Sequence, residues 1–331
     1  MKKIVFTKKD TAELVDVPDR MPGAGEVRVK LAFTAVSAGT ERAVLTGNEE
    51  GGEGFRFSFP NSSGYSGSGI VTHVGPGVSE YKPGDRVMVH GGGHQQFCTV
   101  PLKEIVPVPD PVSLEEAALV VIAGFSLSAI RKAKICLGES CLVSGLGLLG
   151  LFAVQFASLS GAYPVIGADY LPERRELAKA MGADILLDPA EPDYITRCKA
   201  WNGGVNTAIE VTGNPHALKQ VLSCSAKFAR VLLLGCTRTM TEVDFYNDVH
   251  RPGIHLIGAH SGARPVEESH SGFYTEMEDC RVILSYLSAG KLNFKPMISE
   301  VRSPGEATQV YARLAHGKFP IGVLFDWNQF D

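Results

Sequence analysis

Three glycines spaced G-x-G-x-x-G stand near the middle of the chain, in Gly145-Leu146-Gly147-Leu148-Leu149-Gly150. An apolar run, Cys141-Leu142-Val143, precedes them, and Leu151-Phe152-Ala153-Val154-Gln155 follows. In such a strand–turn–helix setting the first glycine makes the tight turn. The second lets a pyrophosphate approach the backbone, and the third lets helix pack closely on strand. The helix N-terminus then turns unpaired N–H groups and the positive end of its dipole toward phosphate. Leu148 and Leu149 belong to that first turn and join the glycines as candidate contacts. Asp169 ends the next apolar run, 19 residues beyond Gly150, close to the ~20 at which an acid meets the ribose hydroxyls of a dinucleotide. A carboxylate there repels a 2′-phosphate, so the expected cofactor is NAD(H) rather than NADP(H). Tyr170 and Arg174 lie next to it in sequence. Arg174 and Arg175 either reach a phosphate, which would weaken that preference, or occupy a solvated helix face. The plainer alternative is an ordinary βαβ turn in which Asp169 caps the next helix.

Other residues of reactive type fall at the ends of apolar runs, where open α/β sheets bind ligands. Thr212 and Gly213 follow Val205–Glu210, and Gly235 follows Arg230–Leu234; these are expected beside the nicotinamide. His260 follows Ile257-Gly258-Ala259 and is a candidate general base. His94, in a glycine-rich stretch before Gln95-Gln96-Phe97, is another, since imidazole titrates near neutral pH; its alternative is a surface loop histidine. His73, His216 and His316 read as surface residues, and Cys136 and Cys141 as packing.

Positioning such groups takes two kinds of element. Up to about residue 110 the texture is short alternating runs, such as Val27–Leu31, Gly69–Val74 and Asp85–Val89, broken by Pro22-Gly23, Pro76-Gly77 and Pro83-Gly84. These read as antiparallel strands with tight turns. Ser113-Leu114-Glu115-Glu116 has the form of a capping box and opens a helix. From residue 140 strand and helix patterns alternate, the signature of a doubly wound parallel sheet. A helical pattern over Ala307–Ala315 and an apolar strand, Ile321–Phe325, close the chain, the strand returning to the first lobe. The fold class is α/β: residues 1–115, completed by about 285–331, form a β-rich domain, and residues 116–284 a Rossmann domain.

Several ordered blocks give the whole chain a resemblance to the medium-chain dehydrogenase/reductase family, the alcohol, polyol and threonine dehydrogenase group. They are Gly23–Lys30, Gly64-Tyr65-Ser66-Gly67-Ser68-Gly69, Lys82–Val87, the glycine motif and Ile209-Glu210-Val211-Thr212-Gly213-Asn214. The resemblance implies a GroES-like catalytic domain before the Rossmann domain, a cofactor in the cleft between them, and a substrate beside the nicotinamide. It also implies dimers or tetramers built through a sheet edge of the nucleotide domain.

The departures concern metal. Where zinc-dependent relatives carry Cys-Gly-Thr-Asp this chain reads Ala38-Gly39-Thr40-Glu41, and Gly-His-Glu becomes Gly64-Tyr65-Ser66. The third ligand position aligns with Val121, and the four-cysteine structural loop is replaced by His90-Gly91-Gly92-Gly93-His94. Zinc needs three or four N, S or O ligands, so the expectation is a zinc-independent member with no metal site. Side chains must then manage the proton and the developing alkoxide. Thr40 aligns with the hydroxyl that relays the proton in zinc relatives, or is a turn hydroxyl. Tyr65 either bonds the substrate oxygen or fills the vacated metal space. Glu41 acts as a base or, preferably, makes a structural link with Arg42.

Length and composition bound the remainder. The 331 residues, 44% hydrophobic and 21% charged, suffice for two packed domains, and Lys+Arg 32 against Asp+Glu 36 gives a net charge of -4. Nucleic-acid binding through a basic face is therefore not expected. No apolar run reaches the ~20 residues of a bilayer span, and seven scattered cysteines without C-x-x-C suggest thiols in a reducing cytosol. The expectation is a cytoplasmic, homo-oligomeric NAD-dependent oxidoreductase. It interconverts a secondary alcohol and a ketone on a small polar substrate such as a sugar, polyol or cyclitol, as the hydroxyl-rich Asn61–Ser66 and the run His90–Gln96 suggest. The rivals are an NADPH-dependent quinone or enoyl C=C reductase, and a non-catalytic nicotinamide-binding sensor.

Overall fold

The computed structural model describes residues 1–47, 57–201, 203–317 and 319–330. It contains two compact units, residues 1–122 with 280–331 and residues 123–279. The sequence pattern put these changes at 115/116 and 284/285. The divisions fall instead inside the helices Val120–Ala133 and Glu276–Ser288, where continuous helical periodicity leaves no break to read.

The first unit is built on the strand Glu26–Ala35. It pairs with Ser66–Val74 along one edge, and with Phe97–Pro101 and Gly322–Asp326 along the other, all antiparallel. Val27, Val29 and Leu31 of that strand are fully buried. They share a core with Val87 and Val89 of the strand Arg86–His90, and with Phe325, Trp327 and Tyr311 from the C-terminal segment. Burying an aliphatic side chain of this size is worth ~1.5–3 kcal/mol, so the last segment of the chain is held onto the first by its apolar residues.

In the second unit six parallel strands run in the order Ile185–Leu187, Val165–Ala168, Cys141–Ser144, Val205–Glu210, Ser225–Leu233, His255–Gly258. Cys141–Ser144 and Val165–Ala168 are buried at every residue, as parallel strands covered on both faces must be. The helix Pro215–Cys224 starts with Pro215, and the Asn214 side chain accepts from the His216 amide at 2.8 Å; both features stabilise a helix start. Strand order reverses between Cys141–Ser144 and Val205–Glu210, the switch point where doubly wound sheets bind ligands. Gly145 and Val211 continue directly from these two strands.

All seven cysteines are thiols. Cys141 is buried as expected, and burial pushes its thiol up to about 12; Cys136, expected to pack, is exposed because its segment turns outward before the first parallel strand. Among the described residues no helix is long and apolar enough to cross a membrane.

Candidate active site

In the second unit the three glycines have separable steric reasons. Gly145 adopts φ +96°, and a Cβ there would lie 2.7 Å from Thr212 Cγ2. A Cβ on Gly150 would sit 1.9 Å from the Gly145 carbonyl oxygen, so the helix Leu148–Leu159 approaches the turn only because that atom is missing. Gly147 differs. It occupies the N-cap with extended backbone, and a Cβ there would meet nothing within 4 Å. The space in front of this N-terminus is open, and a Cβ would project into it. That fits a phosphate group drawn to unpaired amides, and Leu148 and Leu149 are half-buried at its edge.

Asp169 is 8% exposed. Its Oδ2 accepts from the Leu146 amide at 2.8 Å and its Oδ1 from the Leu171 amide at 3.0 Å. Arg174 Nη1 stands 3.6 Å from Oδ2. Neither arginine lies on a solvated helix face, which corrects that reading. Arg174 is half-buried against the carboxylate, and Arg175 donates to the carbonyls of Asp169 (2.6 Å) and Tyr170 (3.0 Å) and to Asp188 Oδ2 (3.0 Å). A chain leaving a strand end exposes these carbonyls, and a guanidinium with several donors satisfies them together. Tyr170 is exposed.

Thr212 and Gly213 are organised by Glu210, which precedes them by two and three residues and whose role only the folded turn reveals. Glu210 is fully buried and accepts from the Thr212 amide at 2.7 Å, the Thr212 hydroxyl at 2.5 Å and the Gly213 amide at 3.1 Å. Desolvation holds its carboxyl above the usual range, against these hydrogen bonds. A Cβ on Gly235 would fall 2.3 Å from the Gly213 amide nitrogen, so the ends of adjacent strands meet backbone to backbone. His260 is exposed just past the edge strand His255–Gly258, its Nδ1 accepting from the Gly262 amide at 3.0 Å.

The first unit holds the remaining candidates. Thr40 is exposed in the first turn of the helix Ala38–Leu45, so it is a helix hydroxyl rather than a turn hydroxyl. The half-buried Tyr65 donates from its phenol to Ser37 Oγ at 2.5 Å. Glu41 lies one helical turn from Ser37 on the inward face, 0% exposed. It accepts from the Ser37 amide at 2.8 Å and the Tyr311 hydroxyl at 2.5 Å, with His94 Nε2 3.2 Å from each of its oxygens. The expected link to Arg42 is not made; Arg42 Nε donates to the Ala315 carbonyl at 3.4 Å. Burial and the Glu41 charge raise the Tyr311 phenol well above its ordinary range.

His94 corrects the sequence reading twice. At 1% exposure it is not a surface loop histidine, and with both ring nitrogens engaged in the core it is not in reach of a substrate. Its Nδ1 pairs with Thr34 Oγ1 at 2.7 Å, an oxygen that also accepts from Trp327 Nε1 at 2.9 Å. Phe325 meets the ring edge-on at 5.4 Å. Ser37, Thr34, Tyr311 and Trp327 were not singled out because each acts across 28 to 293 residues of sequence. The run His90–Gln96 is likewise partly interior: Gln96 is buried and accepts from the Lys2 amide. Ser66 is buried too, donating to the Ala118 carbonyl.

The positions aligned with zinc ligands carry a methyl group (Ala38), a phenol engaged with Ser37 (Tyr65) and a fully buried isopropyl group (Val121). They do not fit zinc coordination, and among the described residues no group of three or more His, Cys, Asp or Glu is placed to hold a metal.

Comparison with known proteins agrees with this architecture. The zinc-binding dehydrogenase family matches residues 149–275, and the alcohol dehydrogenase GroES-like domain matches residues 23–110. The L-threonine 3-dehydrogenase of Pyrococcus horikoshii is 30% identical over 87% of this chain and 87% of its own. The D-guloside 3-dehydrogenase of Escherichia coli is 30% identical over 98% of this chain and 100% of its own. The crystal structure of Escherichia coli galactitol-1-phosphate dehydrogenase superposes with a TM-score of 0.84 at 20% identity, covering 98% and 100% of the two chains. The chain thus belongs to the zinc-binding dehydrogenase family, the medium-chain alcohol dehydrogenase-like group, with its GroES-like and Rossmann domains.

Proposed function

We propose that this protein is an NAD(H)-dependent oxidoreductase that interconverts a secondary alcohol and a ketone on a small polar substrate without zinc. The observation that carries the reading is the open cradle at Gly147 beside a buried Asp169. The amides at the start of the helix Leu148–Leu159 would hold the pyrophosphate, and Asp169 the adenosine ribose. Bound nicotinamide supplies the hydride acceptor. The chain's own task is the proton. The Tyr65 phenol oxygen accepts the substrate O–H while its own proton passes to Ser37 Oγ, and the Ser37 hydroxyl proton leaves to solvent. Relatives named for threonine, a butanediol and a guloside support a polar hydroxylated substrate. We place the protein in the cytoplasm as a homo-oligomer.

One observation favours a second reading. Arg174 stands 3.6 Å from Asp169 Oδ2, where a guanidinium meets a 2′-phosphate if the carboxylate yields. That arrangement would suit NADPH and reduction of an activated C=C bond. Titration with NADH and NADPH, followed by Trp201 and Trp327 fluorescence, separates the two. At least a tenfold preference for NADH, about 1.4 kcal/mol, with turnover of threonine, butane-2,3-diol or a methyl guloside supports alcohol oxidation. A preference for NADPH, with turnover of an enone alone, overturns it. Cofactor binding without turnover of any of these leaves the sensor.

A further inference from the structure

The Ser37–Tyr65 hydroxyl pair belongs to a closed circuit of contacts. Tyr65 donates to Ser37 Oγ at 2.5 Å, and the Ser37 amide donates to Glu41 Oε1 at 2.8 Å. Glu41 meets His94 Nε2 at 3.2 Å. The circuit closes through backbone, because the His94 amide donates to the Ser63 carbonyl at 3.2 Å and the Gly93 amide to the Gly64 carbonyl at 3.0 Å. Gly64, at φ +96°, lies so close that a Cβ would stand 2.6 Å from His94 Cδ2. Tyr65 therefore follows a residue seated on His94, and Ser37 hangs from the carboxylate that His94 faces.

Glu41 has more donors directed at it than stabilising one helix turn requires. Tyr311 and His94 reach it from distant segments, and Thr34 and Trp327 fix the far side of the imidazole. Buried polar groups satisfied this completely define one geometry. We infer that Glu41 and His94 are a positioning pair, holding the Ser37 hydroxyl and the Tyr65 phenol in register for proton transfer while touching no substrate themselves. The inference rests on the proposed alcohol oxidation and deepens it by assigning the second pair.

The test uses the full-length protein with NAD⁺ and whichever of threonine, butane-2,3-diol or methyl guloside turns over. Glu41→Ala removes the acceptor of the Ser37 amide and should lower kcat at least tenfold. KM should change less than threefold, and NADH binding, which depends on the other unit, should be unaltered. Glu41→Gln keeps an oxygen for that amide and should restore part of kcat; it carries the test where Glu41→Ala does not fold. Residues acting through one another are non-additive, so Tyr65→Phe combined with Glu41→Gln should be no slower than Tyr65→Phe alone. Multiplying losses, or an unchanged kcat in folded Glu41→Gln and Glu41→Ala, would overturn the positioning pair and leave the proposed reaction standing. An unchanged kcat in Tyr65→Phe would instead remove the hydroxyl mechanism.

Discussion

Asp169 is bonded to the turn beside which it is expected to act: its Oδ2 accepts from the amide of Leu146, between Gly145 and Gly147, at 2.8 Å. The acid therefore sets the shape of the glycine turn and, in the proposed reading, the character of the ribose pocket as well. With Oδ1 held by the Leu171 amide, both carboxylate oxygens are tied to backbone. Asp169→Ser is expected to cost at least tenfold in NADH affinity, about 1.4 kcal/mol, and to narrow or reverse the preference over NADPH as Arg174 loses its partner. Fluorescence titration of the two cofactors checks this, and equal losses for both would show that Asp169 only shapes the turn.

The motif glycines should respond differently to alanine. At Gly147 the added methyl enters open space; the variant should fold with parental stability and bind NADH at least tenfold more weakly. At Gly150 it would collide with the Gly145 carbonyl at 1.9 Å, and backbone cannot yield that far without moving the helix. Gly150→Ala is expected to lose several kcal/mol, on the order of an overpacked core site or more. Thermal unfolding with NADH titration separates the two, and a stable Gly150→Ala that binds NADH normally would contradict the geometry.

How much of this could be read in the sequence follows from the range of each interaction. The strand–helix alternation of the parallel sheet and the glycine turn are local patterns, since side-chain period and glycine spacing are fixed within ~30 residues of chain, whereas the switch point joins strands more than 60 residues apart. Asp169 is local too, placed by counting from Gly150. His94 defeats such counting. Its glycine-rich neighbours imply a surface loop, yet its partners Thr34 and Glu41 lie 60 and 53 residues away, and Trp327 beyond Thr34 comes from the far end of the chain. Glu41 was assigned to Arg42 because they are adjacent, but neighbouring residues on a helix point to different sides. Only the tertiary fold shows that residue 41 faces inward while residue 42 reaches the Ala315 carbonyl.

The substituted ligand positions make a prediction about metal. With Ala38, Tyr65 and Val121 where relatives of the zinc-dependent type place their ligands, prolonged dialysis against EDTA or 1,10-phenanthroline should change neither NADH binding nor turnover. Added Zn²⁺ should not raise the rate. Elemental analysis of the purified protein should give well under one zinc per chain. Activity lost to chelation and restored by Zn²⁺ would mean that other residues bind the ion and that the Tyr65–Ser37 pair is not the proton route.

Glu300 should set part of the acid sensitivity of the first unit. Its carboxylate accepts from Arg313 Nη1 and Nη2 at 3.0 and 2.7 Å and from Arg302 Nε at 2.8 Å. These guanidinium hydrogen bonds, Arg313 foremost, hold it down to about 2 from 4.5. A carboxylate whose folded-state value is lowered adds stability that is full above its unfolded value and fades as pH falls toward the folded one. The window here runs from about 4.5 down to about 2. The site is near the surface, where screening reduces the net worth of such a pair to about 1 kcal/mol. Glu300→Gln is expected to unfold at lower urea concentration than the parent at pH 7, by that amount. The gap should stay constant down to pH 5, shrink by pH 3.5, and shrink also in 1 M salt. A gap independent of pH would show that the glutamate contributes by packing and neutral hydrogen bonding rather than by charge.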